Sequence, residues 1–351
     1  MRPGSQRFER RRPTLTAVIP ATDRHPALPR CERRLREVSE PPEEVLVVEE
    51  PAEAGPAEAR NVGALAAMGD VLVFVDADVL VHDDVFVRIR DAFEAEPQLT
   101  AIFGAYDDEP EADGAVSTFR NLLPHHVHVG SAGDATTFWS GLGAVRRDRF
   151  LAAGGFDAAQ FPGPDVEDVE LGMRLAEAGH KLMLDPEIKC THLKDWTVRG
   201  MVHTDLFRRG IPWTVLLLRR RRVPRDLNLG HRHKASAAAC VAAVGAIAAR
   251  RPRAAAGSLT ALVLLNRSLY GLLWRRGGPR KAAAGVGLHA LHHLTAVGAV
   301  PLGAFAWARN GEPHPEPSAE TLEGLRFVLH SQPPRRWARD GEPASEAPAP
   351  V

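Results

Sequence analysis

The sequence predicts an α/β domain on a mostly parallel sheet, followed by an Ala-rich helical region. Three observations carry that prediction. Short, near-continuous apolar runs, TLTAVIP at 14–20, VLVV at 45–48 and VLVFV at 71–75, read as strands buried on both faces. The segments between them carry helical patterns, so the first ~100 residues read as repeated βα units. From about Ala235 the composition shifts to ASAAACVAAVGAIAA, AAAGSLTALVLLNRSLYGLLW and AAAGVGLHALHHLTAVGAVPLGAFAWA, separated by arginine clusters.

In chain order, residues 1–13 are basic without an apolar core, which predicts a disordered arm rather than a signal peptide. A sheet domain then spans 14–230. Pro20 closes its first strand, and the second ends in Glu49 and Glu50. A loop to about Glu58 leads into a helix that Gly69 stops. Later, Pro164 and Asp165 open a helix with Asp165 as its N-cap, Leu171 and Leu175 on one face, and Gly179 as its end. KLMLDPEIKCTH reads as a strand, a turn at Asp185–Pro186 and a second strand. The helical region covers 235–309. Residues 310–351 are Pro- and Glu-rich apart from SAETLEGLRFVLH and read as a mostly disordered tail.

Lys+Arg and Asp+Glu both number 44, which excludes a globally basic nucleic-acid binder. Charge is nonetheless uneven. Arg208, Arg209, Arg219, Arg220, Arg221, Arg222 and Arg225 crowd one segment, while Glu40 to Glu58 is acidic, so a local anionic partner or a solvated charged face is implied. Cys31, Cys190 and Cys240 form no CxxC pair, which argues against a disulfide framework or a zinc site and fits a reducing compartment.

The feature that points to chemistry is Asp76–Ala77–Asp78, directly after the third strand. In an extended chain both carboxylates would lie on one side. Paired anions repel unless a cation joins them, and Mg2+ or Mn2+ carrying a diphosphate is the natural partner. A solvated turn accounts for an isolated DxD equally well. The carboxyl end of a central strand, where α/β sheets place ligands, favours the site.

EEVLVVEE, GPAEARNVG and MGDVLVFVDADVLVHDD, followed by SGLGAVRRDRFLAAGGFD, VEDVELGMRLAEAGHKLMLDP and TH, resemble glycosyltransferase family 2 over about residues 14–230. These are inverting nucleotide-sugar enzymes with the Rossmann-like GT-A fold. The resemblance implies a hexosyltransferase-type enzyme that moves a sugar from a nucleotide-diphosphate donor, a UDP-sugar by expectation, to a lipid-linked or glycan acceptor. It implies Asp76 and Asp78 as the metal-binding DxD pair, with Asp78 the more direct ligand of Mn2+ or Mg2+, and His192 as a further metal or diphosphate ligand, against the simpler reading of a structural histidine. Pro20, Thr22, Glu49 and Glu50 would line the nucleoside pocket, although most relatives carry aspartate at the second strand end. Arg60 and Asn61 would sit near the donor phosphates or hold the sheet edge, with a structural ion pair an equal reading for Arg60. Ser140 and Gly141 would floor the acceptor side. Asp168 would be the catalytic base and Glu167 its orienting neighbour, against the simpler reading that acids favour a helix N-terminus. Arg208 and Arg209 would fold over the diphosphate or touch anionic lipid. Trp139, Trp196 and Trp213 would stack on sugar, meet a membrane interface or pack in the core.

A nucleotidyltransferase releasing pyrophosphate and an inactive membrane scaffold that keeps the fold are the alternative readings. The C-terminal helices resemble those of membrane-associated bacterial members, including DLNLG and LHALHHL, which places the chain at the cytoplasmic face of a cell membrane. A span needs about 20 apolar residues and a central arginine costs about 2.5–3.5 kcal/mol, so interfacial helices or one hairpin of two spans fit better than three spans. An Ala-rich soluble bundle has the same composition. His289, His292 and His293 share one helical face without an evident carboxylate, which implies packing or a headgroup contact rather than a metal site.

Overall fold

The three apolar runs become β1 (Leu15–Pro20), β2 (Glu44–Val48) and β3 (Val71–Val75), every residue of them buried. The computed structural model describes residues 11–52, 54–221, 230–310 and 315–338. β1 pairs in parallel with β2 on one side and β3 on the other. The remaining strands are β4 (Val79–Val81), β5 (Leu99–Tyr106), β6 (Gly133–Ala135), β7 (Leu142–Arg146), β8 (Lys181–His192) and β9 (Arg335–Ala338). The sheet order is β4-β8-β5-β7-β3-β1-β2-β9, with β6 on β8.

The sheet is more mixed than its apolar runs imply. β7 lies antiparallel between β3 and β5, and β4, β6 and β9 also pair antiparallel. Two antiparallel steps restore direction, so β1, β2, β3, β5 and β8 all point the same way. Their carboxyl ends therefore share one edge, where Pro20, Val48, Val75, Tyr106 and His192 lie. Ligands of open α/β sheets bind at such an edge.

Helices cover both faces. Helix α1 (Leu28–Glu37) and α3 (Val85–Ala95) pack on the side of Leu15, Val45, Val73 and Ile102. Helix α2 (Pro56–Ala66), α5 (Arg147–Ala152) and α6 (Glu167–Glu177) pack on the side of Val18, Leu46, Phe74 and Phe103. On α6, Leu171 and Leu175 are buried as expected, and Gly179 ends the turn at φ 82°. Its cap differs from expectation. The helix starts at Glu167 after Val166, and Asp165 instead donates its backbone N–H to Glu167 Oε2 at 3.0 Å. Nor does the chain reverse at Asp185–Pro186. β8 runs on to His192, and pairing with β5 jumps from Phe103↔Leu184 to Ala105↔Lys189, so residues 185–188 form a bulge.

Helix α4 (Ala115–Val129) joins the sheet domain to the helical region. Its Phe119, Leu122, Leu123 and Val127 share a core with Leu269, Tyr270, Leu272 and Leu273. Beyond α4, helix α7 (Val198–His203), a π-helical turn (Thr204–Gly210) and α8 (Ile211–Arg220) run on without a break. Then come α9 (His231–Ala248), α10 (Pro252–Leu265) and α11 (Arg267–Asn310), the last kinked at Gly278, where φ is 75°. Most of DLNLG lies outside the described residues.

Residues 315–338 depart from the expected disordered tail. Helices α12 (Ala319–Glu323) and α13 (Arg326–Ser331) return to the sheet domain, and β9 extends the sheet beside β2. Trp337 is buried in the α1-side core with the Arg36 guanidinium 4.5 Å above its ring. Arg335 holds Glu32 through both Nη atoms at 2.8 and 2.7 Å. A four-residue strand carries little local signal, and β2 recruits it by offering an open edge and a pocket for one indole. Replacing Trp337→Ala is expected to lower stability by about 3 kcal/mol in urea denaturation. A loss below about 1 kcal/mol would show that β9 adds nothing to the core.

Candidate functional site

The acidic residues that sequence reading singled out come together across the shared strand edge. Asp76 follows β3, with its backbone N–H donated to Gly141 O at 3.1 Å. The pair is not extended as expected. Val79 N–H donates to Asp76 O at 3.2 Å, closing a turn, and the two carboxylates take different partners. Asp76 Oδ1 accepts from Arg60 Nη2 at 2.7 Å, whereas Asp78 Oδ2 faces His192 Nε2 at 3.4 Å.

Arg60 is the hinge of the arrangement. Its guanidinium is buried, and its second nitrogen donates to Glu167 Oε1 at 2.9 Å. One cation thus joins the tip of β3 to the first turn of α6. Of the two readings of Arg60, the ion pair is the one present. Asn61 does not join the site. Its amide clamps the Phe156 backbone, donating to the carbonyl at 2.8 Å and accepting the N–H at 2.9 Å.

Ser140 and Gly141 connect the two acidic positions. Ser140 donates its backbone N–H to Asp168 Oδ2 at 3.1 Å, while Gly141 receives the Asp76 N–H. Gly141 must be glycine, because a Cβ there would lie 2.5 Å from the Trp139 ring. Asp168 and Glu167 are both buried. Burial, reinforced by the Asp168 charge and opposed by Arg60, pushes the Glu167 carboxyl up to about 7. Burial also raises Asp76, with Arg60 opposing and Asp78 reinforcing the shift. Asp78 goes the other way. Burial pushes it up, but His192, Lys194 and His25 more than offset that and hold it below the ordinary carboxylate value.

His192 ends β8 opposite Val79, and the Leu193 N–H donates to Asp78 O at 2.9 Å, so backbone pairing fixes its place beside Asp78. Tyr106 stacks on its ring, with centroids 4.4 Å apart and planes 8° from parallel, and Trp139 meets Tyr106 edge-on. Sequence reading missed Tyr106 and Asn121. Tyr106 was accessible as the last residue of a further apolar strand, whereas nothing in STFRNLL distinguishes Asn121.

The expected nucleoside-pocket residues lie at the same edge but are engaged locally. Pro20 ends β1, and Thr22 Oγ1 donates to Ala54 O at 2.7 Å. Glu49 accepts from Arg335 at 3.0 Å, and Glu50 from Arg24 at 3.2 Å. Glu49 borders a cavity of about 600 Å³ between α1 and β9, which Arg33, Arg36 and Arg335 also line. Arg208 reaches Asp165 at 3.4 Å, and the Arg209 charge acts on Glu167 and Tyr106. Trp213 packs against the Phe161 cluster, and the Trp196 ring meets the Arg120 guanidinium and the Lys194 ammonium, so both rings are engaged within the chain. Of the histidine face, His289 and His293 are buried and His292 is partly so, and a carboxylate does accompany it, since His292 Nδ1–H donates to Asp205 Oδ2 at 2.8 Å. Among the described residues, no three His, Cys, Asp or Glu side chains form a ready-made metal cage.

A mixed sheet with five strand ends at one edge, an acidic turn after β3 and an acidic helix start opposite it define a GT-A-like α/β domain followed by C-terminal helices. Residues 29–152, about a third of the chain, match the family model Glycosyl transferase family 2. It is similar to the Pre-mycofactocin glycosyltransferases of Mycobacterium tuberculosis strains CDC 1551 / Oshkosh and ATCC 25618 / H37Rv. Each is 27% identical over 176 residues, covering 44% of this chain and 35% of the relative. The chain thus spans about a third of the length of these curated relatives. A mannosyltransferase from Pyrobaculum calidifontis, solved with GDP-Man and Mn2+, aligns with a TM-score of 0.41 at 17% identity, over 92% of this chain and 82% of its own. GalNAc-T7, solved with UDP, GalNAc and Mn2+, aligns at 0.43 and 14%, over 60% of this chain and 48% of its own.

Removing Arg60 would leave Asp76 and Glu167 without their shared cation. Arg60→Ala is expected to cost about 3–5 kcal/mol of stability by denaturant titration, and Arg60→Lys to recover little, because an ammonium cannot fork between two carboxylates. A loss below about 1 kcal/mol would show that the bridge does not hold the two elements together.

Proposed function

We propose that the chain transfers a sugar with inversion from a nucleotide-diphosphate sugar, UDP-linked by preference, to a lipid-linked or glycan acceptor. The observation that carries this reading is the Arg60 bridge, which joins the Asp76–Asp78 turn to the Glu167–Asp168 helix start. Displacement at an anomeric carbon needs both: a place for the departing diphosphate and a carboxylate for the acceptor proton.

A divalent cation, Mn2+ or Mg2+, fits the donor set. Asp78 Oδ2 and His192 Nε2 face each other at 3.4 Å and would supply an oxygen and a nitrogen ligand. A metal ion held there would supply positive charge for the leaving diphosphate. Asp168 takes the acceptor hydroxyl proton, with its carboxylate oriented by the Ser140 N–H. Glu167 and Arg60 hold the start of α6 against Asp76. The Arg209 charge, which is felt at Glu167, would favour an anionic donor bound beside it.

Attachment to the cytoplasmic face of a cell membrane is part of this proposal. No single described helix is long and apolar enough to cross a membrane, and Pro252–Leu265 with Arg267–Arg309 qualifies only as a pair bent by 74°. Ile247, Leu264, Trp274 and Phe305 are each more than half exposed, which supports helices lying in the interface. Release of the protein from cell membranes by high salt alone, without carbonate or detergent, would count against that placement.

Incubating the protein with UDP-sugars and Mn2+ is expected to release UDP, and pyrophosphate as the product would favour nucleotidyl transfer instead. Asp78→Ala is expected to abolish release. Asp168→Asn is expected to lower kcat about 100- to 10,000-fold, the range for loss of a general base. Turnover unchanged in both variants, measured by UDP release, would remove the proposal.

A further inference from the structure

His192 presents an unusual pairing. Its Nδ1 lies 2.7 Å from Asn121 Oδ1, deep in the fold, while Nε2 faces the Asp78 carboxylate. The orientation of the Asn121 amide is fixed independently, because its Nδ2 donates to Lys194 O at 3.4 Å. Turning the amide over would set two carbonyl oxygens against each other and an N–H₂ against the ring. An amide oxygen only accepts, so Nδ1 carries the hydrogen. In the neutral ring the remaining lone pair then sits on Nε2, pointed at a carboxylate oxygen. Only a cation fits across the 3.4 Å between Nε2 and Asp78 Oδ2, either a proton on Nε2 or a divalent ion in its place.

The surroundings hold this state in place. Tyr106 stacks flat on the ring and prevents its rotation. Backbone pairing of His192 with Val79 fixes the main chain. The segment after His192 is anchored to α4 as well, since Trp196 N–H donates to Ser117 Oγ at 2.9 Å and Ser117 Oγ to Asp195 Oδ1. Asn121 and Ser117, one helical turn apart, therefore grip both sides of the same loop.

We propose that Asn121 is a positioning residue for the cation site, holding His192 as the tautomer whose open Nε2 joins Asp78 in binding a divalent metal. The inference rests on the proposed metal-dependent transfer and deepens it. Asn121 touches neither metal nor substrate. It acts through the imidazole, as hydrogen-bond partners of metal-ligating histidines do, with losses of about 10- to 100-fold in metal affinity on their removal.

Calorimetry of Mn2+ binding to the full chain with saturating UDP, repeated with GDP, tests this without reference to turnover. Asn121→Leu is expected to weaken Mn2+ binding about 10- to 100-fold. Asn121→Asp, whose carboxylate can still accept the Nδ1 hydrogen, is expected to stay within about threefold of the parent. Should the leucine variant fail to fold, Asn121→Ser, too short to reach the ring, is expected to show the same loss. His192→Ala serves as the reference for complete loss of the ligand. Equal Mn2+ affinity in the parent and the leucine or serine variant overturns the role of Asn121 alone. Equal loss in the aspartate variant does the same, since a general packing defect would then explain both. Absence of Mn2+ binding by the parent with either nucleotide, or full affinity in His192→Ala, overturns the metal reading together with the inference.

Discussion

The arrangement depends on one buried guanidinium. A charge at the position of Arg60 is tolerable only when paired, and the two carboxylates that pair it come from distant parts of the chain. Asp76 is the first residue past β3 and Glu167 is the first of α6, so satisfying Arg60 sets where α6 begins relative to the strand tip. The next residue reinforces the geometry. Asn61 binds both backbone groups of Phe156, and the Arg60 guanidinium lies 5.6 Å over the Phe156 ring. Two adjacent side chains on α2 thereby locate the whole 155–168 segment. The RN dipeptide is accordingly architectural, even though it stands beside the site.

Strand direction supplies the second constraint. Five strands point the same way only because β7 reverses between β3 and β5, and that reversal also delivers Ser140 and Gly141 to the gap between the acidic positions. β8 reaches the edge because residues 185–188 bulge instead of turning back. A turn at Asp185–Pro186 would have carried His192 away from Asp78. Asp185 Oδ1 does accept the Glu187 N–H at 2.9 Å, the local bond of an Asx turn, so the sequence signal was physically real. Pairing with β5 on either side of the bulge overrode it.

What was legible in the sequence is what depends on local pattern. Continuous apolar runs identified β1, β2 and β3 nearly to the residue, and acidic residues after a strand or at a helix start marked Asp76, Asp78, Glu167 and Asp168. Features set by distant partners were not legible. Asp78 and Asp76 part company because a turn forms and Arg60 claims one of them, which residue spacing alone does not encode. Glu49 is held by Arg335, nearly the length of the chain away, through a short strand whose RRWA sequence reads as tail. Tyr106 and Asn121 act through ring stacking and a hydrogen-bond direction, neither of which leaves a motif.

The helical region is tied to the site through α4. One face of that helix buries Phe119, Leu122 and Leu123 against α11, while Ser117 and Asn121 reach the loop that follows His192. The neighbouring residue Arg120 extends the connection, donating to Asp205 of the π-helical turn, which also accepts from His292 of α11. The Arg120 guanidinium lies 4.7 Å over Trp196, in the same loop. These hydrogen bonds on Asp205 fix the turn that carries Arg208 and Arg209. The C-terminal helices are therefore a buttress as well as a candidate membrane surface: they stiffen α4 and the π-helical turn from behind. The proposed cation site, built from a turn and a strand end, would gain rigidity from that support in addition to the pairing of His192 with Val79.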